Sequence, residues 1–269
     1  GFDYNARLIN ILHGVGFGFQ SVGTVTDRPY GGNPMPRLGR LPKSKSLLAN
    51  KGFKNAGMDY ILKHMSHQKN GPVGMSIGST NRSYASFDEL ADDVASGFRK
   101  ANQDPFCDYF ELNISCPNLI NINSFKEKPD GPDGLLKILT KLSGLNINRP
   151  VFIKMPAERT FEEIDALVQT AAPFDLVRGL IFSNLIKDRN NPYLDRGEIA
   201  KAGKGNFSGK PTFEISNRLI RHAFKNYGDR FIIIGCGGVF TAEDAYQKIK
   251  LGASLVQLIT GMIYMGPGQ

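Results

Sequence analysis

Short apolar runs recur along the chain, separated by polar segments with helical spacing. Seven of these runs are predicted to be buried strands, at residues 17–26, 71–79, 108–116, 150–156, 176–184, 231–238 and 254–261. Residues 1–3 are predicted to be the tail of an eighth strand. Strands that alternate with helices pair in parallel through βαβ units, so the pattern predicts a parallel sheet.

The segments between the strands carry recognisable helix signals. Ser86 and Glu89 form a predicted capping box, and a helix is predicted from Thr241 to Gly252. Eight strands in this order favour a (β/α)8 TIM barrel, because a doubly wound sheet would usually begin with a GxGxxG turn, which is not found here. The predicted fold is therefore α/β and a single domain over residues 1–269, and we expect the natural chain to extend past both ends.

Two connections are longer than a passive loop requires. Residues 117–134 follow the predicted fourth strand, and residues 184–212 follow the predicted sixth. Both leave the carboxyl ends of strands, where barrel active sites form. We expect them to act as binding loops or lids.

Composition narrows the classes of protein and of partner. The 33 Lys+Arg and 25 Asp+Glu give a net charge of +8, which suits anionic ligands, but the basic residues are scattered and no nucleic-acid partner is expected. Three widely spaced cysteines and no CxxC argue against a disulfide framework or a metal site, and favour the cytoplasm. No apolar run reaches the roughly 18 residues of a membrane span. A segment before residue 1 would still allow peripheral contact with the cytoplasmic membrane.

Polar residues gather where the predicted strands end. They are Asp3, Tyr4, Thr24, Thr26, Ser76, Ser79, Asn113, Ser115, Cys116, Asn118, Lys154, Ser183, Asn184, Gly237, Gly238, Thr260 and Gly261. The set offers amides, one cation and one thiol, and indicates a planar heteroaromatic ligand. The bare backbone N–H groups of the glycines, beside a helix start, are typical of a phosphate site, with tight turns as the alternative interpretation.

Lys154 and Cys116 are the candidate reactive groups. Lys154 ends an apolar strand, so its ammonium is predicted to enter the barrel mouth and pair with an anion, either a reduced flavin or an inward carboxylate. Cys116, in "ELNISCPN", is either a reactive thiol or a small buried hydrophobe before a turn. An unperturbed thiol titrates near pH 8.5 and can accept a proton. Cys107 and Cys236 lie in apolar segments and are predicted to be structural.

Several motifs, taken together and in order, resemble the dihydroorotate dehydrogenase family over essentially the whole chain. They are "GFD", "GFGFQSVGTVTDRPYGGNPMPRLGRLP", "KGFKNAG", "LNISCPN", "FIKMP", "SGKP", "GCGGV" and "ASLVQLITGMIYMGP". The resemblance implies a barrel that binds FMN and oxidises dihydroorotate to orotate in pyrimidine biosynthesis. It places the catalytic base on Cys116.

The resemblance also implies the binding residues. The FMN phosphate falls on Gly209, Gly237, Gly238, Ile259 and Thr260, with Lys154 at the ring edge and further cofactor contacts from Gly23, Ser76, Asn113, Ser183 and Ser208. The substrate contacts fall on Asn50, Phe53, Asn113, Asn118 and Asn184.

The chain departs from the family pattern at the substrate side. Tyr4, Ala49, Ser76 and Leu185 replace an expected lysine, asparagine, asparagine and threonine. The missing lysine would pair with the orotate carboxylate, and Lys187 or Arg189 is the suggested replacement. Residues 23–42 are similar to the quinone-using class, whereas a cysteine base is usual in the soluble class. A quinone is therefore the favoured electron acceptor, with fumarate or NAD as alternatives.

Two other functions stay open at this point. One is a flavin-dependent reductase of another dihydropyrimidine, either free uracil or dihydrouridine in RNA. The other is an FMN-binding protein without turnover.

Overall fold

The computed structural model describes residues 2–120 and 125–266. Its main sheet contains seven strands in the order β1-β4-β5-β6-β7-β9-β10, and every pairing in it is parallel. These strands are β1 Gln20–Val25, β4 Val73–Ile77, β5 Tyr109–Asn113, β6 Val151–Lys154, β7 Val177–Phe182, β9 Ile232–Cys236 and β10 Leu255–Gln257. The alternation of apolar runs and helices therefore predicted the parallel sheet correctly.

Helices precede, connect and follow the strands of this sheet. They are α1 Ile9–Leu12, α2 Met58–His64, α3 Phe87–Gln103, α4 Pro132–Ser143, α5 Phe161–Ala171, α6 Arg196–Lys201, α7 Phe213–Tyr227, α8 Ala242–Lys250 and α9 Thr260–Met265. The side chains of Ser86 and Thr241 accept hydrogen bonds from the backbone of Glu89 and Asp244, which confirms both predicted helix starts.

The sheet is buried on both faces. Its outer face packs against the helices in one continuous apolar core that includes Phe98 and Phe110, whose rings meet edge to face. The inner face carries a smaller cluster built around Tyr109 and Phe152. Burial on both faces explains why the strands are continuous apolar runs rather than alternating patterns.

A second sheet, which the apolar pattern did not predict, stands beside the main one. It has three antiparallel strands in the order β2-β3-β8, with β2 Leu38–Leu41, β3 Ser46–Ala49 and β8 Asn206–Gly209. The strand β8 lies within the long connection 184–212, so this connection is ordered structure and not only a loop. The other predicted lid includes residues 121–124, which lie outside the described residues.

One strand prediction was wrong, and another extended past the end of its strand. The described residues 2–8 form no strand, and the carboxylate of Asp3 instead accepts hydrogen bonds from the backbone N–H groups of Arg7 and Leu8. The run 254–261 is strand only at Leu255–Gln257, because Thr260 begins α9. Asp3 and Thr260 both line the large cavity described next.

Candidate active site

A cavity of about 800 Å³ lies at the carboxyl ends of the parallel strands, where the second sheet faces them. Fifteen of the sequence-predicted site residues line it: Gly23, Phe53, Ser76, Asn113, Cys116, Asn118, Lys154, Ser183, Asn184, Ser208, Gly209, Gly237, Gly238, Ile259 and Thr260. Asn50 is not among the lining residues, and its side-chain oxygen accepts a hydrogen bond from Asn33 instead. The structure thus gathers nearly all of the predicted residues into one space of a size suited to a cofactor together with a small substrate.

One end of the cavity is formed by the glycine backbone at Gly237 and by the hydroxyl groups of Ser208 and Thr260, together called the Gly237 cradle. Gly237 has φ +122°, and a Cβ atom there would lie 2.6 Å from Oγ1 of Thr212. The hydroxyl groups of Ser208 and Thr260 are 2.8 Å apart and close the same end. A side chain at Gly237 would therefore displace Thr212, and the bare glycine backbone lets an anionic group approach closely. These features fit a phosphate group.

The inner wall of the cavity carries a short chain of hydrogen bonds. Asn113 donates through Nδ2 to Oγ1 of Thr24 at 2.9 Å, and the Thr24 hydroxyl lies 3.0 Å from that of Ser76. Asn184 donates through Nδ2 to Oδ1 of Asn113 at 3.2 Å and to Oγ of Ser115 at 3.0 Å. The two amides therefore hold each other in fixed orientations at the ends of β5 and β7.

Asn33 is the centre of a buried amide hub, a group of hydrogen bonds that supports the part of the cavity wall around Asn118. Nδ2 of Asn33 donates to the side-chain oxygen of Asn50 at 2.9 Å and to the backbone oxygen of Asn118 at 3.0 Å. Asn206 on β8 donates to the side-chain oxygen of Asn118. Asn33 and Asn206 were not predicted as site residues. Asn33 lies in "YGGNPMP", where its neighbours suggest only a turn.

Lys154 reaches the cavity as predicted, but its partner is a thiol. Its Nζ donates to Sγ of Cys236 at 3.2 Å, and among the described residues no carboxylate forms an ion pair with it. Cys236 also lines the cavity, and it packs against the apolar cluster of Tyr109 and Phe152. Cys107 is buried away from the cavity, and burial raises the pKa of its thiol to about 12.

Cys116 faces the cavity from the turn after β5 and is half-buried. Burial raises the pKa of its thiol to about 12, and a hydrogen bond from the backbone of Asn118 opposes this rise. The expectation of an ordinary thiol pKa was therefore wrong, because "ELNISCPN" alone does not reveal how dry the end of the strand is. With a pKa of about 12, the Cys116 thiol is protonated at neutral pH.

The four residues that differ from the family pattern lie around the same cavity. Tyr4, Ala49, Ser76 and Leu185 all line the cavity. Lys187 and Arg189, suggested as the replacement cation, do not line it, and Arg189 instead donates to the backbone oxygens of Ala202 and Gly203. That suggestion was therefore wrong.

Comparison with known proteins identifies the family. A family profile described as dihydroorotate dehydrogenase matches residues 1–269. The chain belongs to the dihydroorotate dehydrogenase family. A dihydroorotate dehydrogenase (quinone) of Brucella ovis is 37% identical over 274 residues, covering 100% of this chain and 72% of that protein. One of Synechococcus sp. is 34% identical, covering 99% of this chain and 70% of that protein.

Solved structures of the family have the same fold. A dihydroorotate dehydrogenase from Eimeria tenella in complex with ferulenol superposes with a TM-score of 0.86 at 28% identity, covering 99% of this chain and 76% of that chain. The ligand-free form of that enzyme gives the same TM-score. This match confirms the predicted TIM-barrel fold.

No described helix is both long and apolar enough to cross a bilayer. Within the residues that the structure describes, no cluster of three or more His, Cys, Asp or Glu side chains is arranged to hold a metal ion.

Proposed function

We propose that this chain catalyses the flavin-dependent oxidation of dihydroorotate to orotate in pyrimidine biosynthesis. The observation that carries the proposal is that Cys116, the paired amides of Asn113 and Asn184, and the Gly237 cradle all line one cavity. A thiol, fixed amides and an anion cradle are what a proton abstraction from a pyrimidine beside a phosphate-bearing cofactor requires. The family to which the chain belongs supports this reaction.

FMN is the cofactor that the cavity suits. Its phosphate would be held by Ser208, Gly209, Gly237, Gly238, Ile259 and Thr260, and its ring would lie against Gly23, Ser76, Asn113, Lys154 and Ser183. When bound, FMN supplies the site that accepts a hydride from dihydroorotate. Lys154 adds a positive charge at the ring's edge.

Cys116 is the proposed general base, which removes a proton from the substrate ring. Asn113, Asn118 and Asn184 would bind the ring's C=O and N–H groups and fix its orientation, with Phe53 packing against it. Asn184 donates to Asn113, and Asn206 donates to the side-chain oxygen of Asn118, so little side-chain freedom is lost on binding.

The proposed electron acceptor is a quinone, because relatives such as the Brucella ovis protein are named for that acceptor. Val15, Leu38 and Ile259 line the cavity while remaining exposed, with 37%, 50% and 39% of their surface accessible. An apolar mouth of this kind suits an apolar acceptor, and we propose that it also allows peripheral contact with the cytoplasmic membrane.

The test is an anaerobic titration of the FMN-loaded protein with dihydroorotate, followed by reoxidation with a quinone, fumarate or NAD in separate reactions. We expect the flavin absorbance to bleach with dihydroorotate but not with dihydrouracil, and to recover fastest with the quinone. No bleaching with dihydroorotate would refute the proposed reaction, and recovery with fumarate or NAD alone would refute the proposed acceptor.

A further inference from the structure

The cavity contains more positive than negative side chains. Lys51, Lys54 and Lys154 are the lining residues with ammonium groups, within the part of the chain that the structure describes. The lining carboxylates there are Asp3 and Glu111. Asp3 accepts hydrogen bonds from two backbone N–H groups, and Glu111 accepts them from Ser21 and Gln257, so neither neutralises a lysine. The cavity therefore offers positive charge to an anion from outside.

Lys51 is the best placed of the three ammonium groups. Its Nζ lies 4.8 Å from the centre of the Tyr4 ring, which also lines the cavity. A ring contact attracts the ammonium electrostatically but leaves its N–H donors available to an anion. Within residues 2–120 and 125–266, no carboxylate lies within ion-pair distance of Lys51.

The backbone of Lys51 is tied to the substrate wall. Its carbonyl accepts a hydrogen bond from the backbone N–H of Asn33 at 3.3 Å, and Asn33 also binds the backbone of Asn118. Lys51 and Asn118 are therefore positioned by the same buried amide hub. A ligand held by Asn118 would lie on the side of the cavity where Lys51 stands.

The other two lysines are less suitable. Lys154 lies at the end of β6, and its ammonium already donates to Cys236 at the end of β9. Lys54 lines the cavity, but among the described residues no ring or carboxylate holds its ammonium in place. A flexible cation loses more side-chain entropy on binding than one already held.

We propose that Lys51, held against the Tyr4 ring, is the residue that recognises the carboxylate of the substrate. This inference rests on the proposed function, because dihydroorotate and orotate both carry a ring carboxylate. It assigns the preference for a carboxylated pyrimidine to a lysine in the segment after β3, and gives Tyr4 the task of positioning that lysine.

The test measures equilibrium binding of orotate and of its uncharged amide, orotamide, to the FMN-loaded protein through the change in the flavin spectrum. In Lys51→Met we expect orotate to bind about 10- to 150-fold more weakly, the range for losing a charged hydrogen bond. Orotamide should bind to this variant within about twofold of its affinity for the wild type. Lys54→Met, which removes the neighbouring charge, should retain the wild-type preference for orotate.

Tyr4 variants test the positioning role. Tyr4→Phe keeps the ring and should preserve orotate affinity, whereas Tyr4→Leu removes it and should weaken orotate binding several-fold without changing that of orotamide. FMN content and melting temperature confirm that each variant is folded.

The outcomes separate this inference from the proposed function. If the wild type binds orotate and Lys51→Met binds it equally well, or if Lys54→Met carries the loss, Lys51 is not the carboxylate's partner although the reaction stands. If Lys51→Met weakens orotate and orotamide alike, the residue supports the wall and does not select charge. If the wild type binds neither orotate nor dihydroorotate, both proposals fail.

Discussion

Raising the pH is expected to accelerate the reduction of the flavin by dihydroorotate well beyond the range where an ordinary thiol would level off. The proposed base, Cys116, has a pKa raised to about 12 by burial. A base acts only when deprotonated, so a raised pKa lowers the active fraction at every pH below it. The rate should therefore rise with pH until the pH reaches that pKa.

The size of the effect follows from the pKa. At pH 7.5 a thiol with a pKa near 8.5 is about one tenth thiolate, whereas one with a pKa of about 12 is thiolate in about 3 molecules per 100,000. The logarithm of the rate should consequently increase with a slope of one, a total of about 1,000-fold between pH 7 and pH 10.

The assay is anaerobic stopped-flow bleaching of the flavin absorbance at saturating dihydroorotate. Cys107→Ser serves as a control, because Cys107 is buried outside the cavity and its loss should leave the slope unchanged. Cys116→Ser should be at least about 100-fold slower at pH 8, the usual contribution of a general base. A plateau near pH 8.5, or a profile independent of pH, would refute the reasoning.

Three further outcomes are expected. Burial lowers the pKa of Lys248 to about 8, so the unfolded state binds more protons between pH 8 and 10. In denaturant titrations, the difference in the free energy of unfolding between the wild type and Lys248→Met should therefore shift by about 2 kcal/mol in favour of the wild type from pH 8 to pH 10. Gly237→Ala should lose most of its bound FMN, measured as the flavin-to-protein ratio, whereas Gly203→Ala, where a Cβ meets nothing within 4 Å, should retain it. Asn33→Ala should lower the free energy of unfolding by about 2 kcal/mol and weaken orotate binding, because it removes the donor to Asn50 and Asn118. Unchanged orotate affinity in that variant would contradict a role for the hub.

The main fold and most of the cavity lining were accessible from the sequence, because they depend on local patterns. Buried parallel strands are continuous apolar runs, and the residues that end them meet at one edge of the barrel. This logic placed Asn113, Lys154 and Gly237 correctly in the cavity. It did not reveal the sheet β2-β3-β8, whose strands have four residues each and in which β3 pairs with β8 across a long stretch of chain.

Other features of the site depend on where a side chain points and on how far it is shielded from water. Neither can be predicted from the neighbouring residues in the sequence. Lys51 lies in a basic stretch that resembles a solvated surface, yet its ammonium is held over the Tyr4 ring. Cys236 follows an apolar run, yet its sulfur accepts a hydrogen bond from Lys154. In both cases the deciding contact joins residues that are distant in sequence, so only the folded chain reveals it.

The pairing of β3 with β8 has a consequence for the order in which the enzyme is built. Ser46 pairs with Gly209, so one wall of the cavity remains incomplete until a segment more than halfway along the chain has been synthesised. The bond from Asn206 to Asn118 imposes the same requirement on the turn that carries Cys116. During synthesis, the barrel strands β1, β4, β5, β6 and β7 leave the ribosome before β8 does, so a nascent chain can collapse well before it can capture its ligands.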